Sequence, residues 1–291
     1  MIIGGDKSAV IEHIRKLANE GKLNQKAELD DPNLSEAGSL RAIAAYERAC
    51  SHKIRHYLAS RPAYALHSLA VLMHQPRTTI VGLEKLDNIK GGAIITSNHF
   101  NPLDSIFPRQ VIRKKFHRFP WIVSQETNLA MTGFNGYFMN HLPILPLKNS
   151  PNYIIKKFTP QLKKLIKQGE FVLIYPEEEL WFNYRKPRPS KRGTFLFASQ
   201  ANAPVIPCFV EMQDTGKKDN AQFNKLAYTV HVLDPIYPDP TKSHKTNSRN
   251  MAEQDYAQKC QAYEQAYGKK LNYKFTYDDI AGYQTKTSAD K

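Results

Sequence analysis

The sequence predicts an α/β domain, on three observations. From residue 77 onward, short β-prone runs alternate with helical ones, the pattern of a sheet with helices on its faces. Two of those runs, Phe171–Tyr175 and the Ala93–Ile95 start of Ala93–Ser97, are apolar, as buried strands are. The chain is 291 residues long with 41% hydrophobic residues and no long polar low-complexity tract, enough to bury a proper core. The expected division is an N-terminal helical region over residues 1–76, then an α/β domain over 77–291 that ends in a helical tail.

In chain order, the first element is a helix from Ser8 to Asn19, followed by a polar loop around Asp30-Asp31-Pro32-Asn33. Ser39 to His74 reads as two helical runs broken at Arg61-Pro62. The first is rich in Arg48, His52, Lys53, Arg55 and His56; the second sets Leu66, Leu69, Ala70 and Met73 at helical spacing. Its apolar stretch, Ala63 to Met73, is about half the ~20 residues a spanning helix needs and is interrupted by His67. Such a segment lies on a bilayer rather than crossing it.

Strands are predicted at Thr78–Val81, Ala93–Ser97, Trp121–Ser124, Phe171–Tyr175, Val205–Met212 and Tyr228–Val232. Between the third and fourth lies a helix from Thr159 to Lys167. Thr159 is placed as its cap, Pro160 at its first position, Leu162, Leu165 and Ile166 inward, and Gly169 as its stop. The tail after Asp234-Pro235 is polar and Tyr-rich, with a helix from Met251 to Tyr267.

Basic residues exceed acidic ones by 14, which draws the protein to something anionic: nucleic acid, a phospholipid surface or a phosphorylated substrate. The charge concentrates at Arg109, Arg113, Lys114, Lys115 and Arg118, and again at Arg185, Lys186, Arg188, Lys191 and Arg192. Cys50, Cys208 and Cys260 are odd in number and far apart, so they suggest neither a disulfide framework nor a zinc site, and a reducing compartment fits. Charges throughout the first turns leave no apolar core for a signal peptide. A nucleic-acid-binding protein would suit the charge, but no recognition helix, zinc finger or RNP-type aromatic pattern is present.

Three segments carry candidate chemistry. Ala93–Asn98 runs as an apolar strand into His99, and Asn101-Pro102-Leu103-Asp104 reads as a helix start whose third position points back at His99. Among the ten histidines only His99 has an aspartate five positions on. Ligand sites of open α/β sheets lie at the carboxyl ends of strands, where this pair falls. An imidazole oriented by a carboxylate can take the proton of an alcohol; the plainer alternative is that Asn101 and Asp104 only cap a helix. In the second segment, the Phe171–Tyr175 strand opens onto Pro176-Glu177-Glu178-Glu179 and then Arg185, Lys186 and Arg188. This is either an acidic helix N-terminus or part of a site, and a magnesium site from Glu177, Glu178 and Asp104 is weighed against the basic run that follows. In the third, the extended Leu142-Pro143-Ile144-Leu145-Pro146-Leu147 delivers Lys148.

Ser97-Asn98-His99-Phe100-Asn101-Pro102-Leu103-Asp104 resembles the NHx4D motif of the glycerolipid acyltransferase superfamily, whose best-known members are 1-acyl-sn-glycerol-3-phosphate acyltransferases. Tyr175-Pro176-Glu177 resembles that family's third block, and Ala203-Pro204-Val205-Ile206-Pro207 its fourth, in the family's order, over about residues 78–235. The sequence departs from the pattern twice. Where the third block usually continues Pro-Glu-Gly-Thr-Arg, this chain reads Pro176-Glu177-Glu178-Glu179-Leu180, without the arginine. The second block's usual arginine is matched by Lys148, which keeps charge but loses the bidentate fork.

The resemblance implies a mixed sheet flanked by helices, glycerol-3-phosphate acyltransferase-like, preceded by N-terminal membrane-interface helices. It implies catalysis by His99 and Asp104, with Asn98, Lys148, Glu177, Arg185 and Arg188 holding the acceptor. Acyl-CoA or acyl carrier protein would act as co-substrate, with no metal or other cofactor. The expected partners are a lysophospholipid acceptor and a phospholipid bilayer surface, without nucleic acid. The expected location is peripheral, on the cytoplasmic face of the membrane. Another lysophospholipid or a cell-envelope intermediate is the alternative acceptor.

Overall fold

The structure, a computed structural model, describes residues 6–28, 34–74 and 77–284. The polar loop expected at Asp30–Asn33 and the Gln75-Pro76 junction lie outside these residues. Seven strands form one sheet: β1 (Thr78–Val81), β2 (Ala93–Thr96), β3 (Trp121–Gln125), β4 (Ile144–Leu147), β5 (Phe171–Ile174), β6 (Val205–Lys218) and β7 (Asn224–Val232). Their order is β1-β7-β6-β2-β5-β3-β4. From β6 across to β4 all neighbours run parallel, whereas β7 is antiparallel to β6 and parallel to β1. The sheet is therefore mixed, as expected.

β2 lies between β5 and β6, and β2 and β5 are buried at every position. Their side chains alternate between two cores, as strand periodicity requires. Ile95 and Leu173 join Phe107 and Val111 of α4 (Ile106–Phe116) and Tyr46 of α2 (Glu36–Ser51) on one face. Ile94 and Val172 join Leu162, Phe195 and Met251 on the other, from α7 (Thr159–Lys167), α8 (Arg192–Ala201) and α9 (His244–Tyr267). A third cluster packs Ile11, Ile14 and Leu17 of α1 (Ser8–Asn19) under Trp181, Phe182 and Tyr184, in the loop that follows β5. Thus α1 supports the loop at the carboxyl edge of the sheet.

Several boundaries differ from the sequence reading, each for a physical reason. The helix break expected at Arg61-Pro62 lies at His52, whose ψ of 70° leaves the helical region. Pro62 sits inside α3 (Lys53–His74), since a proline forfeits one backbone hydrogen bond and bends a long helix more readily than it ends it. Thr159 does not cap α7: Phe158 is already helical at φ −62°, ψ −55°, and a π turn over Ile154–Phe158 leads in from α6 (Pro151–Tyr153). Pro160 cannot donate to the preceding turn, and the wider π turn accommodates that loss. The extended Leu142–Leu147 segment contains β4, an edge strand, where its Pro146 is tolerated. α9 begins seven residues before the expected Met251, capped by the Ser243 hydroxyl accepting from the Thr246 amide. The remaining helix, α5 (Gly133–His141), lies between β3 and β4. No described helix is long and apolar enough to cross a membrane.

Candidate active site

β2 ends at Thr96, and the three residues beyond it run to His99 at the carboxyl edge of the sheet. His99 Nδ1 lies 2.8 Å from Asp104 Oδ2. An ionised carboxylate only accepts, so Nδ1 carries the proton and Nε2 is left with its lone pair. Nε2 makes no hydrogen bond among the described residues. The imidazole is about one-fifth exposed (21%), whereas Asp104 is almost fully buried (2%): the imidazole reaches solvent and the carboxylate orienting it does not.

The helix start expected at Asn101–Asp104 comes later, at Ile106, with turns before it. Asn101 Oδ1 accepts from the Leu103 amide at 3.1 Å, closing an Asx turn that lets the chain double back. Asp104 nevertheless points at His99. Its Oδ2 also accepts from the backbone amides of Phe100 (2.8 Å) and Asn101 (3.2 Å). Orientation of the histidine and local capping, posed as alternatives, are made by one carboxylate.

Tyr175 completes the arrangement, and no role was assigned to it from the sequence. Its hydroxyl donates to Asp104 Oδ1 at 2.6 Å, and its ring stacks on His99 with centroids 4.0 Å apart and planes 16° from parallel. Burial, and then the neighbouring Asp104 carboxylate, push its phenol well above the ordinary value, so it stays a donor. The available signal was its position as the residue directly after β5, next to the strand that ends at the histidine.

Glu177 and Arg188 hold the backbone of His99. Glu177 Oε2 accepts from the His99 amide at 3.3 Å and lies 2.8 Å from Arg188 Nη2, while Oε1 accepts from the Arg188 amide at 2.9 Å. The Arg188 guanidinium also donates to the carbonyls of His99 (3.3 Å), Leu23 (3.2 Å) and Glu179. The Trp181 amide donates to the His99 carbonyl at 3.1 Å and the Asn183 amide to that of Phe100 at 2.8 Å. Glu177 and Arg188 were both expected to hold the acceptor; both are buried, with these polar atoms engaged inside the fold.

The other expected acceptor residues are also engaged. The Asn98 side chain pairs with Val210 of β6, accepting from its amide at 2.8 Å and donating to its carbonyl at 3.1 Å. It continues the sheet's pairing past β2 instead of facing a ligand. Lys148 follows β4, three strands from β2 and so laterally about 14 Å away. It pairs with Glu36 at 3.1 Å. Arg185 turns toward β6, donating to the Met212 carbonyl at 2.6 Å and to Asp214 at 3.1 Å.

Glu178 has a backbone φ of +67°. Glycine adopts that region freely and other residues do so at a cost. It is the position where the resembled third block carries glycine, and here a residue less suited to that backbone stands there. Among the described residues no group of three or more His, Cys, Asp or Glu side chains gathers as a metal site. Asp104 and Glu177 have separate partners, His99 and Arg188.

Residues 77–211 match the family profile described as Acyltransferase. A crystal structure of the 1-acyl-sn-glycerophosphate (LPA) acyltransferase PlsC from Thermotoga maritima is similar at a TM-score of 0.48 and 13% identity, covering 90% of this chain and 97% of that one. No curated protein matches.

Proposed function

We propose that this chain, an acyltransferase of the glycerolipid superfamily through its domain at residues 77–211, moves a fatty acyl group from a thioester onto the hydroxyl of a lysophospholipid, with 1-acyl-sn-glycerol-3-phosphate as first choice. The observation that carries this reading is the His99–Asp104 contact at 2.8 Å, at the end of a central parallel strand and within that domain. Asp104, held by two backbone amides and Tyr175, keeps the proton on Nδ1. Nε2 then takes the acceptor's hydroxyl proton as its oxygen attacks the thioester carbonyl, and the C–S bond breaks to release the thiol. Acyl-CoA or acyl carrier protein is the proposed donor. The thioester supplies the activated acyl group and His99 the base, so no metal or redox cofactor enters the proposed step.

The acceptor is reached at a membrane surface in this reading. α3 exposes Ile54, Leu58, Leu66, Leu69, Leu72 and Met73 at helical spacing, with Lys53 and Arg55 at its start. An apolar stripe with cations at its end suits the boundary between anionic head groups and acyl chains. We assign the protein a peripheral position on the cytoplasmic face on that basis. A cell-envelope acceptor without phosphate is the second reading, favoured by Leu180 at the family arginine's place and by the internal engagement of Arg188. Both readings are tested by offering a panel of lysophospholipids and lipid alcohols with acyl-CoA or acyl carrier protein and measuring thiol release. Turnover is expected with the phosphorylated acceptor; release with no member of the panel, from folded protein, would remove the proposal.

A further inference from the structure

Arg109 lies in the first turn of α4, 2% exposed, and its Nε, Nη1 and Nη2 have no hydrogen-bond partner among the described residues. An unpaired guanidinium is among the costliest groups a protein can bury. Burial lowers its pKa only to about 10, so it remains charged at neutral pH. Its Cζ lies 4.5 Å from the centre of the Phe119 ring, and the same ring meets Tyr64 at 4.7 Å and His67 at 5.3 Å, both on α3. His67 is similarly placed: it is 7% exposed and its Nε2 has no hydrogen-bond partner among the described residues. A guanidinium and one imidazole nitrogen without partners there thus flank one aromatic ring beneath α3.

Arg109 and the catalytic pair share one side of the sheet: Phe107 and Val111 of α4 pack in the same core that Tyr175 meets, and Tyr175 stacks on His99. We propose that Arg109, with His67 beside it, is the site that takes the phosphate of the acyl acceptor, admitted when the Tyr64–His67 stretch of α3 moves aside. The assignment rests on the acyltransferase reading. A guanidinium fork matches a phosphate's oxygens two at a time, and a dry aromatic wall strengthens the attraction. The acceptor is chosen over the donor by chemistry. In a lysophosphatidate the hydroxyl and the phosphate sit on neighbouring carbons, so an anion held on the same side of the sheet as Tyr175 leaves the hydroxyl near His99. In a pantetheine thioester the phosphate lies a long arm away from the reacting carbonyl. The cover has a reason to move, since a lipid interface would draw the apolar outer stripe of α3 toward it.

The test compares full-length wild type with Arg109→Met and Arg109→Lys in detergent. Arg109→Met should raise the KM for 1-acyl-sn-glycerol-3-phosphate by about 10- to 100-fold, leave the donor KM unchanged, and melt no lower than wild type, because an unpaired buried charge is gone. Arg109→Lys should recover part of the loss. Glycerol 3-phosphate should raise the Tm of wild type and not of Arg109→Met, a readout that stands even if no acceptor is turned over. An unchanged acceptor KM, a rise in donor KM instead, or a fall in Tm with kcat and KM both damaged would each overturn the assignment. Silence of wild type toward every acceptor would sink the acyltransferase reading, and equal Tm shifts in wild type and Arg109→Met would sink the phosphate site by itself.

Discussion

Arg188 and Arg109 are both almost completely buried, and their surroundings treat them in opposite ways. Arg188 lies in the loop after β5, with its charge matched by Glu177, its remaining N–H groups directed at backbone carbonyls, and its plane on Trp181 at 4.8 Å. Arg109 has aromatic rings and no acceptor among the described residues. The same contrast separates their regions. Around Arg188, α1, the 177–188 loop and the His99 backbone interlock; the buried pair Lys186–Asp279 at 2.7 Å ties the C-terminal segment to that loop, and Asp255 of α9, paired with Lys259 of the same helix at 2.9 Å, accepts from the Thr96 hydroxyl at the end of β2. Around Arg109 the cover is α3, whose other side faces outward with apolar residues. A satisfied buried charge fixes geometry, whereas an unsatisfied one keeps free energy in reserve for a ligand. The satisfied region therefore holds His99 still, and the unsatisfied one is where substrate recognition is to be sought.

That comparison breaks most readily at Arg188. Arg188→Met leaves Glu177 buried and unpaired, and should cost about 3–5 kcal/mol, read from urea unfolding, with acyl transfer lost alongside. Arg188→Met combined with Glu177→Leu should recover much of the stability. A single variant within about 0.5 kcal/mol of wild type would mean that the pair is not a strut.

The Arg109 region should instead be sensitive to acid. Burial, followed by the charges of Arg109 and Arg113, holds the His67 pKa down to about 3, against an unfolded value near ~6.5. The unfolded chain therefore takes up this proton first. The His67 contribution is intact above ~6.5 and declines as the pH falls toward 3, by at most about 1.4 kcal/mol per pH unit. His67→Phe should flatten the fall in Tm between pH 6.5 and 4. An equal fall in both proteins would show that His67 is not held neutral.

Tyr175→Phe keeps the stack on His99 but removes the hydroxyl from Asp104. The expected loss is about 1–2 kcal/mol, divided between stability and kcat, with substrate KM nearly unchanged. A large KM change would place Tyr175 against substrate instead. The smallest effect is at the turn: Glu178→Gly relieves a left-handed φ and should stabilise by about 1 kcal/mol without altering turnover. A decrease in Tm would show that the Glu178 side chain contributes more than its backbone costs.

Much of this was legible in residues. Apolar runs gave β2 and β5 because central parallel strands are buried on both faces, and the polar end of Ala93–Asn98 pointed to His99. The His99–Asp104 contact followed from a turn that sends a carboxylate backward, although the helix starts five residues past Asn101. What could not be read is how polar side chains are spent. Asn98, Lys148, Arg185 and Arg188 are polar residues near strand ends in the sequence, and burial alone shows them pairing with β6, Glu36, Asp214 and Glu177. The clusters of positive charge gave the opposite difficulty: Arg109 looks like one more surface cation of α4, and its isolation exists only once Phe119 and α3 pack over it.

The most direct measurement for the central claim is thiol release from acyl-CoA by wild type and His99→Ala, with 1-acyl-sn-glycerol-3-phosphate as acceptor and Tm recorded on the same preparations. The account predicts acceptor-dependent release by wild type and a kcat lower by about 10²–10⁴-fold in His99→Ala, at unchanged Tm and acceptor KM, because the base is lost and the fold is not. Turnover by His99→Ala within a few-fold of wild type would contradict it.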